Sequence, residues 1–160
     1  MKIADVIDFA ERNGGGNIFT NWLLEEVEAH LAFHAQHGTL LVVESKGHVD
    51  GFAVYRRIKQ PKDDISDHFW EPSNGDGQHV YWHELCSNNA NARYTLLREF
   101  EKRNKDARKL TYWGHRKDKL TRYSYKDFRR LMTWEDYSLN QKHQTHPTTL
   151  KPTERRYWRT

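Results

Sequence analysis

Apolar residues recur at helical spacing at Ile3, Val6, Ile7 and Ala10, which predicts a helix over residues 3–11 with one buried face. The run Asn13-Gly14-Gly15-Gly16-Asn17 ends it. No Lys-Ser or Lys-Thr pair follows these glycines, so turn and helix-end chemistry is expected there rather than a phosphate loop. Thr20 or Asn21 caps a second predicted helix running to His37, with Glu25 and Glu26 near its positive end and Leu23, Val27, Leu31 and His34 on one face. From Thr39 the period shortens: a β-branched run to Ser45, the turn Lys46-Gly47 and a second alternating run from His48 to Ile58 predict a hairpin.

Residues 59–77 hold Pro61, Pro72 and the stretch Asn74-Gly75-Asp76-Gly77, and are expected to form a long connection. A third strand over 79–86, a polar turn over 87–91 and a helix over 92–104 follow, the helix turning Leu96, Leu97 and Phe100 inward and Arg93, Arg98, Lys102 and Arg103 to solvent. Strands over 110–115 and 120–123 come next, then a short helix capped by Ser124 that carries Phe128, Leu131 and Met132. Periodicity fades after Thr133. The expected architecture is a mixed α/β domain over 1–132, with a mostly antiparallel sheet flanked by helices, and a basic, aromatic, extended tail over 133–160.

Composition sharpens this picture. Apolar residues make up only 36% of 160, yet six Trp, eight Tyr and seven Phe supply large areas to bury, so a small aromatic core is expected rather than disorder. One cysteine, Cys86, allows no intramolecular disulfide. The first residues alternate charge with apolar side chains where a secretion signal has an unbroken apolar run, and no stretch reaches the roughly 18 apolar residues of a membrane span. A cytoplasmic protein without a membrane partner is predicted. Charge is unevenly spread: residues 1–90 hold 7 Lys and Arg against 14 Asp and Glu, while residues 91–132 hold 14 against 5. Such a positive half attracts phosphates, whether of a nucleotide cofactor or a nucleic-acid backbone.

The hairpin LLVVESKGHVDGFAVYRRI, the strand VYWHELCS feeding the helix ARYTLLREFEKR and the closing stretch KLTYWGHRKDKLTRYSYKDFRRLM resemble, in their order, the GNAT superfamily of acyl-CoA N-acyltransferases over about residues 20–132. Small size and a basic end are similar to small bacteriophage-encoded members, one divergent branch of which modifies adenine in DNA. The resemblance implies an acyl-CoA cofactor, such as acetyl-CoA, whose diphosphate is held by backbone N–H groups at a helix N-terminus. The implied cofactor-binding residues are Leu85, Cys86, Ser87, Asn88, Asn89, Ala90, Asn91, Ala92 and Arg93. The family pattern Arg/Gln-x-x-Gly-x-Gly/Ala stands here without glycine, as Asn88-Asn89-Ala90-Asn91-Ala92-Arg93.

Acyl transfer to an amine needs a base for the attacking ammonium and an acid for the departing thiolate. The resemblance puts the base on the third strand, where alternation sends His83 and Glu84 to opposite faces; Glu84 is preferred, the alternative being an ion pair with Arg56 or Arg57. For the acid it implies Tyr125 or Tyr123, each also readable as a packing aromatic. Cys86 reads as a buried small residue rather than a nucleophile. His30, His34 and His37 share one helix face at metal-ligand spacing, but without a carboxylate in register a solvated or partly packed face is expected and no metal is assigned. Trp113, His115, Arg116, Lys117, Lys119, Arg122 and Tyr123 interleave aromatic and basic groups, a mixture suited to phosphates and stacked bases or to solubilising an edge. Two functions therefore stand: an acyltransferase using a CoA thioester, or a catalytically degenerate scaffold that binds nucleic acid or an acidic protein partner.

Overall fold

The computed structural model describes residues 2–15, 17–60, 73–116 and 119–133. The predicted tail over 134–160 and most of the long connection, 61–72, lie outside the described residues. The first helix, α1 (Ile3–Arg12), buries Val6, Ile7, Phe9 and Ala10. It stops where the backbone N–H and the side-chain amide of Asn13 both donate to Phe9 O, at 3.0 and 2.9 Å, and Gly14 takes a φ of 72° that glycine alone adopts without cost. The single helix expected from Thr20 or Asn21 to His37 is two: α2 (Asn17–Asn21) and α3 (Leu24–Gln36). The break falls at Leu23, whose backbone is extended (φ −65°, ψ 149°) and whose N–H points at the Glu26 carboxylate, 3.4 Å away. Leu23, expected to face inward, is therefore 46% exposed, while Val27, His30, Leu31 and His34 form the buried stripe.

The hairpin forms as predicted. Strands β1 (Leu40–Ser45) and β2 (His48–Ile58) are joined by Lys46 (φ 54°) and Gly47 (φ 81°), both left-handed, the geometry whose twist matches a two-residue hairpin. Strand β3 (His79–Ser87) pairs antiparallel with β2, helix α4 (Ala90–Arg103) crosses back, and β4 (Thr111–Arg116) lies parallel to β3. Strand β5 (Lys119–Tyr123) returns antiparallel, and α5 (Tyr125–Thr133) starts at Ser124, whose hydroxyl accepts the Asp127 N–H at 3.2 Å. The sheet runs β1-β2-β3-β4-β5, mostly antiparallel and flanked by helices, which is the expected mixed α/β class. No helix among the described residues is long and apolar enough to cross a membrane.

Alternation along the strands feeds two cores. On one face Phe52, Val54 and Cys86 pack with α1, α2 and α3; on the other Ala53, Tyr55, Val80 and Tyr112 pack with Leu96, Leu97 and Phe100 of α4 and Phe128 and Met132 of α5. Phe128 stacks on Tyr112 with 4.3 Å between ring centroids. The register slips at two bulges: Val43 faces Gly51 while Glu44 faces Val49, leaving Asp50 extra, and Val54 faces Glu84 while Tyr55 faces Trp82, leaving His83 extra. At the far end of β2, Arg57 is buried: its Nε and Nη2 donate to Gly77 O, at 2.9 and 2.6 Å, and Nη1 and Nη2 reach Asp106 Oδ1 and Oδ2, at 2.9 and 2.7 Å.

Candidate functional site

Among the described residues the only parallel neighbours in the sheet are β3 and β4, and their ladder covers three positions: His79 with Thr111, Val80 with Tyr112 and Tyr81 with Trp113. Beyond Tyr81 no ladder joins the two strands. The carboxyl ends of parallel strands are where open α/β sheets hold ligands, because strand ends and the crossover helix N-terminus converge there. The His83 bulge sits on this stretch.

The bulge corrects the expectation that His83 and Glu84 face opposite ways. Tyr81, opposite Arg56, and Glu84, opposite Val54, both lie on the α1–α3 side, and the extra residue between them turns the His83 ring to the same side. There it meets Tyr81 (4.6 Å between centroids), His34 (5.3 Å) and His30 (5.7 Å). His30 and His34 are themselves 4.6 Å apart and buried, not on the solvated or partly packed face expected of them; only His37 is exposed. His34 Nδ1 shares a hydrogen bond with Thr39 Oγ1 at 2.7 Å, and Trp22 closes over His30 at 5.4 Å. Burial, reinforced by His34, holds His30 neutral with its pKa lowered to about 3. The same cause, with His34, His30, Arg56 and His115 added, keeps His83 well below the ordinary histidine range. Tyr81 is buried, and its hydroxyl bonds at 2.7 Å to Nδ1 of exposed His115 on β4, so a polar line runs from the interior across the strand gap to the surface. Among the described residues no group of three or more His, Cys, Asp or Glu is arranged to hold a metal ion.

Glu84 is buried in this layer. Arg57 is engaged with Asp106 on the other face, which leaves Arg56, buried beside Tyr81 and His83, as the arginine of the α1–α3 side. The acids expected from sequence are elsewhere. Tyr123 and Tyr125 pack against the α4 and α5 core, and the Tyr125 hydroxyl donates to Glu101 Oε2, so the sheet separates both from Glu84. Burial and then Glu101 raise the Tyr125 phenol above its usual pKa. Tyr81, which sequence reasoning passed over as a strand aromatic, is the tyrosine on the side of Glu84; its pairing with His115 across 34 positions leaves no local signal.

The turn from β3 into α4 is two residues long, Asn88 and Asn89. Leu85 is 42% exposed, Cys86 is buried with Sγ 3.6 Å from Asn13 O, and Ser87 pairs with Gly51. Asn88 N–H donates to the O of Asp50, the extra residue of the first bulge, at 3.0 Å, and its side-chain amide reaches Asp50 Oδ1 at 3.4 Å. Asn89 caps α4, its Oδ1 accepting the Ala92 N–H at 2.7 Å. Ala90 and Asn91, in the first turn of α4, have no intrahelical acceptor for their N–H groups. Arg93, expected both at the cofactor and in solvent, is buried, its Nε donating to Met132 O at 3.0 Å, where it ties α4 to the end of α5. Asn89→Ala should lower stability by about 1 kcal/mol and Asn89→Gly by only a few tenths, measured by urea unfolding; equal losses would mean that the cap bond contributes nothing.

Of the basic residues, Lys119 and Arg122 are exposed on β5, Arg116 ends β4 as a backbone position, and Lys117 lies outside the described residues. Compared with protein-family models, curated proteins and solved structures, the chain matches none.

Proposed function

We propose that the chain is a divergent GNAT-like acyltransferase, moving an acetyl or other short acyl group from an acyl-CoA thioester to an amine. The observation that carries this reading is the parting of β3 from β4 at the sheet's one parallel junction, with a bulge on the parting stretch and a helix N-terminus at the same end. Strand edges that part offer peptide N–H and C=O groups to an extended amide-bearing chain, which is what the pantetheine arm of CoA is. The Asn89, Ala90 and Asn91 amides at the start of α4 would take the diphosphate. Glu84 removes one proton from the attacking ammonium; the amine nitrogen bonds to the thioester carbon, the C–S bond breaks, the thiolate takes a proton from the Tyr81 hydroxyl, and the second nitrogen proton, lost as the amide forms, restores Tyr81 through His115 and solvent. This assigns the acid role to Tyr81 in place of Tyr125 and Tyr123.

One observation favours the second reading, a scaffold without cofactor: the Asn89 side chain occupies the Ala92 N–H and the Arg93 side chain is turned inward to Met132 O. Calorimetry with acetyl-CoA separates the two. Saturable binding with a Kd below about 1 mM, and a stabilisation of about 2.7 kcal/mol at a hundredfold excess over Kd, are expected. Glu84→Gln should keep that binding and slow thiol release from acetyl-CoA in the presence of amines by about 100-fold. Absence of any heat or melting shift at millimolar acetyl-CoA overturns the enzyme reading.

A further inference from the structure

On the α1–α3 side of the sheet the helices rest on β1 and β2, and the outer strands carry a different surface. Trp113 and His115 of β4 lie on that side, since Trp113 Nε1 donates to His79 Nδ1 at 3.1 Å and His115 bonds to Tyr81. The antiparallel register then sets Arg122 opposite Trp113 and Leu120 opposite His115, so Tyr81, Trp113 and Arg122 form one row across three strands, with His79 diagonal to Trp113. Arg122, Lys119 and His115 are exposed, and Trp113 is partly so. No carboxylate among the described residues pairs with Arg122 or Lys119. Arg122 is close enough to His79 that, after burial, its charge lowers the His79 pKa.

Among the described residues the Trp113 indole is fixed and partly exposed, and its one ring neighbour is His79, tilted at 6.1 Å, whereas Trp82 on the opposite face is enclosed by Tyr55, Phe100 and Phe128. An oriented, half-open indole beside an exposed guanidinium is a stacking surface next to a phosphate contact. The two outer strands carry charge of the matching sign, since Arg116, Lys119 and Arg122 are their charged residues and neither β4 nor β5 holds an Asp or Glu.

We propose that this outer sheet face, centred on Trp113, Arg122 and His115, binds single-stranded nucleic acid, a base stacking on the indole while Arg122 meets a flanking phosphate. Single strands suit it because their bases present free π-faces, which a duplex hides. The site needs no acyl transfer, so it stands or falls separately from the proposed activity.

The test is fluorescence anisotropy of a labelled oligothymidylate with the full chain at about 50 mM salt. Binding should fall steeply with salt, and unlabelled oligothymidylate should compete better than duplex DNA or than polyphosphate of equal charge. Trp113→Ala should weaken binding by about tenfold or more while Trp113→Phe, which keeps a ring, stays within about threefold. Arg122→Ala should lower the salt slope by about one. Thermal melts check that each variant is folded, and Trp113→Phe and Arg122→Ala keep the test open if Trp113→Ala is not. No binding, equal competition by polyphosphate or duplex, or folded Trp113→Ala binding as tightly as the parent overturns the proposal.

Discussion

Brought from pH 7 to pH 5, the protein should lose about 2 kcal/mol of folding stability from the buried His30 imidazole, with a further loss of the same sign from His83. His30 and His83 are neutral in the folded chain, His30 with its pKa lowered to about 3 and His83 well below the ordinary value of 6.5. Unfolding returns both to water, where each takes up a proton below pH 6.5. The unfolded state thus binds more protons, and stability rises with pH. The His30 contribution is complete above pH 6.5 and is lost progressively as the pH falls towards 3, and that of His83 has the same sign. Protonation inside is opposed by His34 on α3, Arg56 on β2 and His115 on β4, each of which adds positive charge or the capacity for it. Asp106, lowered by its hydrogen bond to Arg57, adds acid sensitivity of the same sign, but only as the pH nears 3.8 and below. Urea midpoints measured across this range would show the fall. His30→Leu should make the slope between pH 6 and 5 shallower by about one proton, since one proton fewer is taken up on unfolding; a profile flat from pH 7 to 5 would mean that these rings are hydrated in solution.

The strands were legible because their signal is local. A period of two over residues 40–58 with Lys46-Gly47 between, and Ser124 ahead of a helical stripe, each specify backbone geometry within a few residues. The two errors about α3 come from one source. The break at Leu23 depends on the Glu26 carboxylate competing for its N–H, and the burial of His30 and His34 depends on His83 and Trp22 arriving from other elements. Helical spacing put the two histidines on one face but says nothing of what that face meets. The site failed at a single insertion: alternation divides His83 from Glu84 only while the ladder is regular, and a bulge, which has no composition signature here, reunites them. The same blindness hid Tyr81 and misplaced Tyr125, because which side of the sheet a residue from a later element reaches is decided by packing and not by spacing.

Replacing Arg57 by alanine should cost about 3–4 kcal/mol, and replacing Asp106 by alanine only about 1. The inequality follows from where the two ends of the pair lie. The Arg57 side chain is 8% exposed and the Asp106 side chain 46%, so the carboxylate left behind by Arg57→Ala is rehydrated at little cost and the ion pair itself is screened. The larger loss is at Gly77 O, which accepts from both Nε and Nη2 of Arg57 and has that guanidinium as its buried partner. Gly77 is held hard against β2: a Cβ there would sit 2.6 Å from Ile58 O, so the carbonyl cannot turn away to find water without pulling the re-entering chain off the strand. The Arg57 backbone N–H, donating to Ser73 Oγ at 2.9 Å, depends on the same segment staying in place. Arg57→Lys should fall between the two, since a single ammonium reaches either Gly77 O or the Asp106 carboxylate but lacks the fork that spans both. Urea unfolding of the three variants at pH 7 decides it. Equal destabilisation by Arg57→Ala and Asp106→Ala would assign the stability to the ion pair, whereas the expected order assigns it to a buried carbonyl that accepts twice from one side chain.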